Sequence, residues 1–240
     1  MHFVKSVVPV LGIAAFAATS LADVSIVYRL SNLTQGYSPD GPLPGYNDSV
    51  FSTALGAVTL TTDHGESFTS NVTNQLITAQ LHGTSSFGGP FNPYHSGTTT
   101  SLDVIFEVTG APVDVSIRIL TGSSSVIQTN PAANPRGNVQ LRLLDNVTNQ
   151  QLFNSDSNMN VHTGIPWYGD WNNALWTTTL APGTYHITSL ANGTNTYSAG
   201  GGSGSGGGGS MNVQITFTPT PGAAAALSLL APIAARRRRA

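Results

Sequence analysis

The sequence predicts an all-β chain, an antiparallel β-sandwich held between two short apolar terminal segments, each expected as a helix. Three observations predict it. Apolar and polar residues alternate with period two in several stretches, as in Val113, Val115, Ile117 and Ile119 against Asp114, Ser116 and Arg118. No segment of the body carries a 3.6-residue apolar period, and Gly, Pro, Asn and Ser punctuate it throughout. Charged residues make up only 8% of the chain, against about 25% in ordinary soluble domains, so hydroxyl and amide side chains supply the polarity.

Residues 1–22 are expected to be a secretory signal peptide. Lys5 gives the positive start, residues 7–18 the apolar stretch, and Ser20-Leu21-Ala22 a small-residue cleavage site, which places the cut between Ala22 and Asp23. The single sandwich domain then covers residues 23–218. Val24, Ile26, Tyr28 and Leu30 are read as one face of a first strand. Residues 35–48 hold several Gly, Pro and Tyr turn signals and read as a long ordered excursion. Ile77, Ala79 and Leu81 form a shorter strand, and Leu102, Val104, Phe106 and Val108 a longer one. Val139, Leu141 and Leu143 follow.

Leu180-Ala181-Pro182-Gly183-Thr184-Tyr185 resembles the tyrosine corner of Greek-key sandwiches, in which the Tyr hydroxyl bonds back to the chain. The resemblance implies a jelly-roll or Greek-key sandwich and a structural Tyr185, with a strand from Tyr185 to Leu190. Residues 199–210 are almost wholly Gly and Ser and read as a flexible loop. Met211, Val213, Ile215 and Phe217 form the last strand, expected beside the Tyr185 strand.

Residues 219–240 read as a sorting or anchor tail. Pro219, Thr220, Pro221 and Gly222 form a turn-rich handle. Residues 223–235 are mostly apolar, and Arg236, Arg237, Arg238 and Arg239 close the chain. About 13 residues of helix span about 20 Å, short of the roughly 30 Å hydrocarbon core. Four arginines resist translocation and hold such a tail in the membrane. The arrangement resembles the PEP-CTERM sorting signals of Gram-negative and related bacteria, with Thr220 where that family has Glu. The resemblance implies secretion, recognition and cleavage by an exosortase-like membrane peptidase, and delivery to the cell surface or extracellular matrix. It also implies transient or stable membrane contact through the tail.

Between positions 23 and 218, four arginines stand against eleven acidic residues, a formal charge of −7. An acidic body without a basic patch disfavours nucleic acid as a partner. The chain has no cysteine, which removes disulfides and thiolate chemistry. No metal site and no cofactor is expected. His64, His82, His95, His162 and His186 lack metal-ligand spacing. Residues 154–160 alternate oxygen side chains as in a Ca²⁺ loop, but the sixth position is not Gly and the twelfth is Ile165.

Glycoside hydrolysis requires two carboxyls about 5–9.5 Å apart. Asp103 and Glu107 share a strand face but lie about 13 Å apart at about 3.3 Å per residue. Asp63 and Glu66 flank His64 in a turn. No Gly-x-Ser-x-Gly elbow is present. A non-catalytic structural or adhesive role is therefore expected.

The alternative is a carbohydrate-binding module, with a surface polysaccharide as partner. Trp167, Tyr168 and Trp171 would stack on sugar rings, and Asp170 and Asn172 would bond hydroxyls. Rings packed into one end of the sandwich explain the same cluster. Trp176 begins a strand and reads as core.

Overall fold

Alternating apolar residues become the facing walls of two antiparallel sheets. The structure, a computed structural model, describes residues 22–39, 44–85, 94–127, 133–156, 167–170, 174–197 and 206–219. The strands are β1 (Asp23–Pro39), β2 (Tyr46–Ser52), β3 (Gly56–Thr61), β4 (Ser67–Val72), β5 (Leu76–Ser85), β6 (Tyr94–Thr109) and β7 (Val113–Ile127). They continue with β8 (Ala133–Asp145), β9 (Gln151–Asp156), β10 (Trp167–Asp170), β11 (Ala174–Leu180), β12 (Gly183–Tyr197) and β13 (Gly206–Pro219).

One sheet runs β2-β1-β6-β12-β8-β9, and the other β10-β7-β13-β5-β4-β3, with β11 also paired to β7. Among the described residues no helix is long and apolar enough to cross a membrane. The expected signal helix, and the tail beyond Pro219, lie outside the described residues.

The core lies between the sheets. Leu102, Val104, Phe106 and Val108 of β6 are buried, as are Val113, Val115, Ile117 and Ile119 of β7, Val139, Leu141 and Leu143 of β8, and Met211, Val213, Ile215 and Phe217 of β13. Phe106 anchors it, with ring centroids 4.8 Å from Phe217 and 5.5 Å from Tyr185. Each such side chain contributes about 1.5–3 kcal/mol by leaving water. The Tyr185 hydroxyl donates to the Ala181 carbonyl at 2.8 Å, which ties β12 to the turn that precedes it.

Four expectations are corrected by pairing. The first strand does not keep one face. The β1–β6 register shifts between Ile26 and Tyr28, and a bulge turns the following residues over. Tyr28 is therefore exposed, and Arg29, Ser31 and Leu33 point inward instead. The turn-rich segment 35–48 is largely a hairpin, with Gln35 opposite Asp48 and Tyr37 opposite Tyr46.

Gly206 to Ser210 is not a loop either. These residues belong to β13, between β7 and β5; residues 199–205 lie outside the described residues. Finally, β13 does not pair with β12 but lies in the opposite sheet, facing it across the core. An alternating strand needs an apolar surface to bury against, and the other sheet supplies it as well as a neighbour does.

The glycines are admitted because the sheets converge. A Cβ on Gly83 would lie 2.2 Å from the Asn192 Cα, and one on Gly207 would lie 2.5 Å from the Arg136 carbonyl oxygen. Sheets that pack through side chains sit about 10 Å apart, so here backbone packs on backbone. Thr100 joins the layers: its hydroxyl accepts from the His82 N–H at 2.8 Å and donates to the His82 carbonyl at 2.7 Å.

Arg29 is buried and, among the described residues, has no carboxylate partner. Its guanidinium donates to the Ser31 hydroxyl, to the Ser70 hydroxyl at 2.6 Å and to the carbonyls of Ala54 and Gly56. Burial pulls its pKa below the usual arginine value. These bonds tie the inverted half of β1 to β4 and to the β2–β3 connection.

Candidate functional site

The β1–β2 hairpin and the turn between β3 and β4 meet at one edge of the sandwich. The turn is built by Thr62, whose N–H donates to the Glu66 carbonyl at 2.9 Å and whose hydroxyl accepts from the Glu66 N–H at 3.1 Å. Gly65 sits at φ 89°, a left-handed conformation that costs glycine little. The turn thereby presents His64 to the hairpin and Glu66 to His82 of β5.

On the hairpin, Gln35, Tyr46 and Asp48 are half-buried. The Tyr46 ring stacks on the His64 ring at 3.6 Å and 9°, and lies 6.0 Å from the Tyr37 ring, tilted by 33°. His64 Nδ1 meets Asp48 Oδ2 at 2.5 Å, and His82 Nε2 meets Glu66 Oε2 at 2.8 Å. The Thr62 hydroxyl donates to Gln35 Oε1 at 2.7 Å. Beside these groups opens a cleft of about 170 Å³, lined by Gln35, Tyr37, Tyr46, Glu66, Ser96 and Thr98 among others. The Ser96 hydroxyl is buried and has no hydrogen-bond partner among the described residues.

The arrangement offers aromatic surface, carboxylate acceptors and amide and hydroxyl groups, which suits recognition of a polyhydroxylated ligand. The sequence names Asp63, His64 and Glu66 together, but Glu66 turns to His82 and His64 to Asp48. Gln35, Tyr37 and Tyr46 were missed as site residues. The available signal was a pair of Gly-Tyr steps, Gly36-Tyr37 and Gly45-Tyr46, whose tyrosines a hairpin brings opposite each other.

The tryptophan cluster divides. Trp167, Tyr168 and Asp170 belong to β10, whose backbone pairs with β7 from Trp167 opposite Val126 to Asp170 opposite Ser123. Trp171 and Asn172 lie outside the described residues. Trp176, half-buried on β11, packs at 5.2 Å and 44° on Phe153 and joins the margin of the core. Asn154, Ser155 and Asp156 of the calcium-like stretch are strand residues of β9, and the rest of that stretch lies outside the described residues.

On the outer face of the first sheet His186 Nε2 approaches Asp103 Oδ1 at 3.4 Å. Burial pushes the Asp103 carboxyl above the usual carboxylate range, and the nearby His186 offsets part of that. Glu107 is exposed. Arg142 reaches Asp156 at 3.7 Å across β8 and β9. Among the described residues no three His, Asp or Glu side chains gather as metal ligands.

No protein-family model matches the chain, and no curated protein matches it. Among solved structures, the infectious bursal disease virus Gx strain aligns at 8% identity and a TM-score of 0.24, covering 85% of this chain and 63% of that one. The chain thus spans less than two thirds of that protein's length. The VP2 subviral particle of infectious bursal disease virus aligns at 11% identity and a TM-score of 0.21, covering 92% of this chain and 75% of that one. A carbohydrate-binding module from the β-sandwich superfamily aligns at 8% identity and a TM-score of 0.16, covering 85% of this chain and 99% of that one. At such TM-scores none of these bears on what this chain binds or does.

Proposed function

We propose that the chain is a secreted protein of the bacterial cell surface or extracellular matrix, sorted by its PEP-CTERM-like tail, with a non-catalytic structural or adhesive role. The observation that carries this reading is the placement of the strand ends. β1 begins at Asp23, the first residue after the expected signal cut, and pairs there with Thr109. β13 ends at Pro219, the first residue of the expected tail, and pairs there with Val113.

Thr109 and Val113 flank the short turn between β6 and β7. Asp23 and Pro219 therefore lie at the same end of the sandwich, and cutting the chain beside them takes away no described strand. The chain passes between the sheets at most of its connections, which with the Tyr185 bond supports a Greek-key reading of the sandwich.

The test is intact mass with C-terminal peptide mapping, on protein from the membrane and medium fractions of the native host. A chain that starts at Asp23 and ends between Pro219 and Gly222 is expected. An uncut chain carrying Arg236 to Arg239 in the membrane fraction would sink cleavage by an exosortase-like peptidase.

The second reading is carbohydrate binding through Trp167, Tyr168, Asp170, Trp171 and Asn172. It is favoured by the position of β10, a four-residue strand at the end of its sheet order. Loss of polysaccharide pull-down in Trp167→Ala with Trp171→Ala tests it, and undiminished pull-down would remove it.

A further inference from the structure

We propose that the cleft between the β1–β2 hairpin and the β3–β4 turn binds one neutral hexopyranose ring of a surface or matrix polysaccharide. This deepens the carbohydrate-binding reading, and rests on it only for the general ligand class; the residues are different ones. At about 170 Å³ the cleft is smaller than the roughly 300–1,000 Å³ of pockets for drug-sized ligands. It therefore takes one ring and leaves the rest of a glycan outside.

The polar groups are arranged for hydroxyls. His82 occupies Glu66 Oε2, which leaves Oε1 to accept. Gln35 Oε1 accepts from Thr62, which leaves its amide nitrogen to donate. The buried Ser96 hydroxyl, without a partner among the described residues, can do either. Tyr46 is held rigid by its stack on His64, so little side-chain entropy is lost when a sugar ring packs beside the Tyr37–Tyr46 pair.

Charge selects the sugar. No Lys or Arg lines the cleft, and Glu66 does. A uronic acid would bring its carboxylate against Glu66 in a half-buried site, where like charges repel more strongly than in water. A neutral pyranose meets no such penalty.

The test is isothermal titration calorimetry of the full chain with cellotetraose, maltotetraose and mannotetraose as neutral probes and tetragalacturonate as the anionic one. At least one neutral probe is expected to bind, and tetragalacturonate to give no binding heat. Tyr46→Ala should weaken the neutral probe by about tenfold, a change worth about 1.4 kcal/mol. Glu66→Gln should weaken it by a smaller factor, and Asp63→Asn should leave it unchanged.

Should Tyr46→Ala lose the wild-type circular dichroism spectrum, Gln35→Ala, which keeps the aromatic stack, carries the test with an expected loss of about fivefold. The proposal is overturned if no neutral probe binds the folded chain, if the cleft variants bind at wild-type affinity, or if tetragalacturonate binds as tightly. A loss confined to Trp167→Ala would also overturn it, and would leave the tryptophan reading standing.

Discussion

The two halves of this sandwich fill their interiors by opposite means. Near the end where β1 begins and β13 ends, the sheets are held apart by large side chains: Val24, Phe106, Val108, Val113, Tyr185 and Phe217 are all buried. Toward the other end the buried residues include Ser85, Thr98, Ser124 and Asn195, and glycines bring the two backbones into contact. The first half is stabilised by apolar area and is sensitive to lost volume. The second depends on the absence of volume, and polar contacts between layers replace apolar ones. The candidate cleft opens beside this second half, where the interior is already polar.

The largest effect that tests the comparison is loss of volume in the apolar half. Phe106→Ala removes the ring that Phe217 and Tyr185 pack on and should cost about 3–5 kcal/mol in urea unfolding. A loss below about 1 kcal/mol would mean that the half is not held by that ring. Adding volume in the glycine half comes next. Gly83→Ala places a methyl 2.2 Å from the Asn192 Cα, and backbone cannot rotate away. About 1–3 kcal/mol of destabilisation is expected. A neutral or stabilising result would break the contrast, since Gly to Ala in an open strand favours folding.

A smaller effect reads the Tyr185 bond. Tyr185→Phe keeps the ring and deletes the donor to Ala181, for an expected loss of about 1 kcal/mol. Burial, with the Asp145 charge second, raises the Tyr185 pKa above the ordinary phenol value. The neutral phenol is favoured in the fold, so the unfolded chain ionises first as pH rises. The contribution is intact below about pH 10 and is lost as pH rises through the folded-state value. Tyr185→Phe should flatten that alkaline limb, and an unchanged limb would place the titration elsewhere.

The smallest effect lies in the β8–β9 turn. The N–H groups of Thr148 and Val147 donate to Asp145 Oδ1, both at 2.9 Å, and hold its carboxyl below the usual range. Its stabilisation is present above the unfolded carboxylate value of about 3.9 and is lost as pH falls through the lower folded value. Asp145→Ala should reduce the slope of acid unfolding and, by removing the charge that helps raise the Tyr185 pKa, flatten the alkaline limb less than Tyr185→Phe does. Parallel acid limbs would exclude it.

Residues at the core declared themselves by alternation wherever one strand face was apolar without interruption. Val113 to Ile119, Leu102 to Val108 and Met211 to Phe217 are buried on the expected face. β1 was misread because a bulge depends on its partner: nothing local marks the shift between Ile26 and Tyr28. Gly206 to Ser210 was misread because glycine carries no side chain to alternate, and a strand interior without side chains looks like a linker. The cleft was half visible. Its turn residues and its tyrosines were noticed separately, but only the pairing of Tyr37 with Tyr46 and the stack on His64 brought them together.

By itself the sequence determined the β class, most core faces and the Tyr185 bond to the preceding turn, because each is a local pattern of side-chain chemistry. The tertiary structure decided which sheet each strand joined, which way β1 faces beyond its bulge, and why glycines sit in β13. It also decided which polar groups share an edge. Those outcomes depend on the distance between segments far apart in the chain, and steric exclusion between two sheets acts only once both are in place.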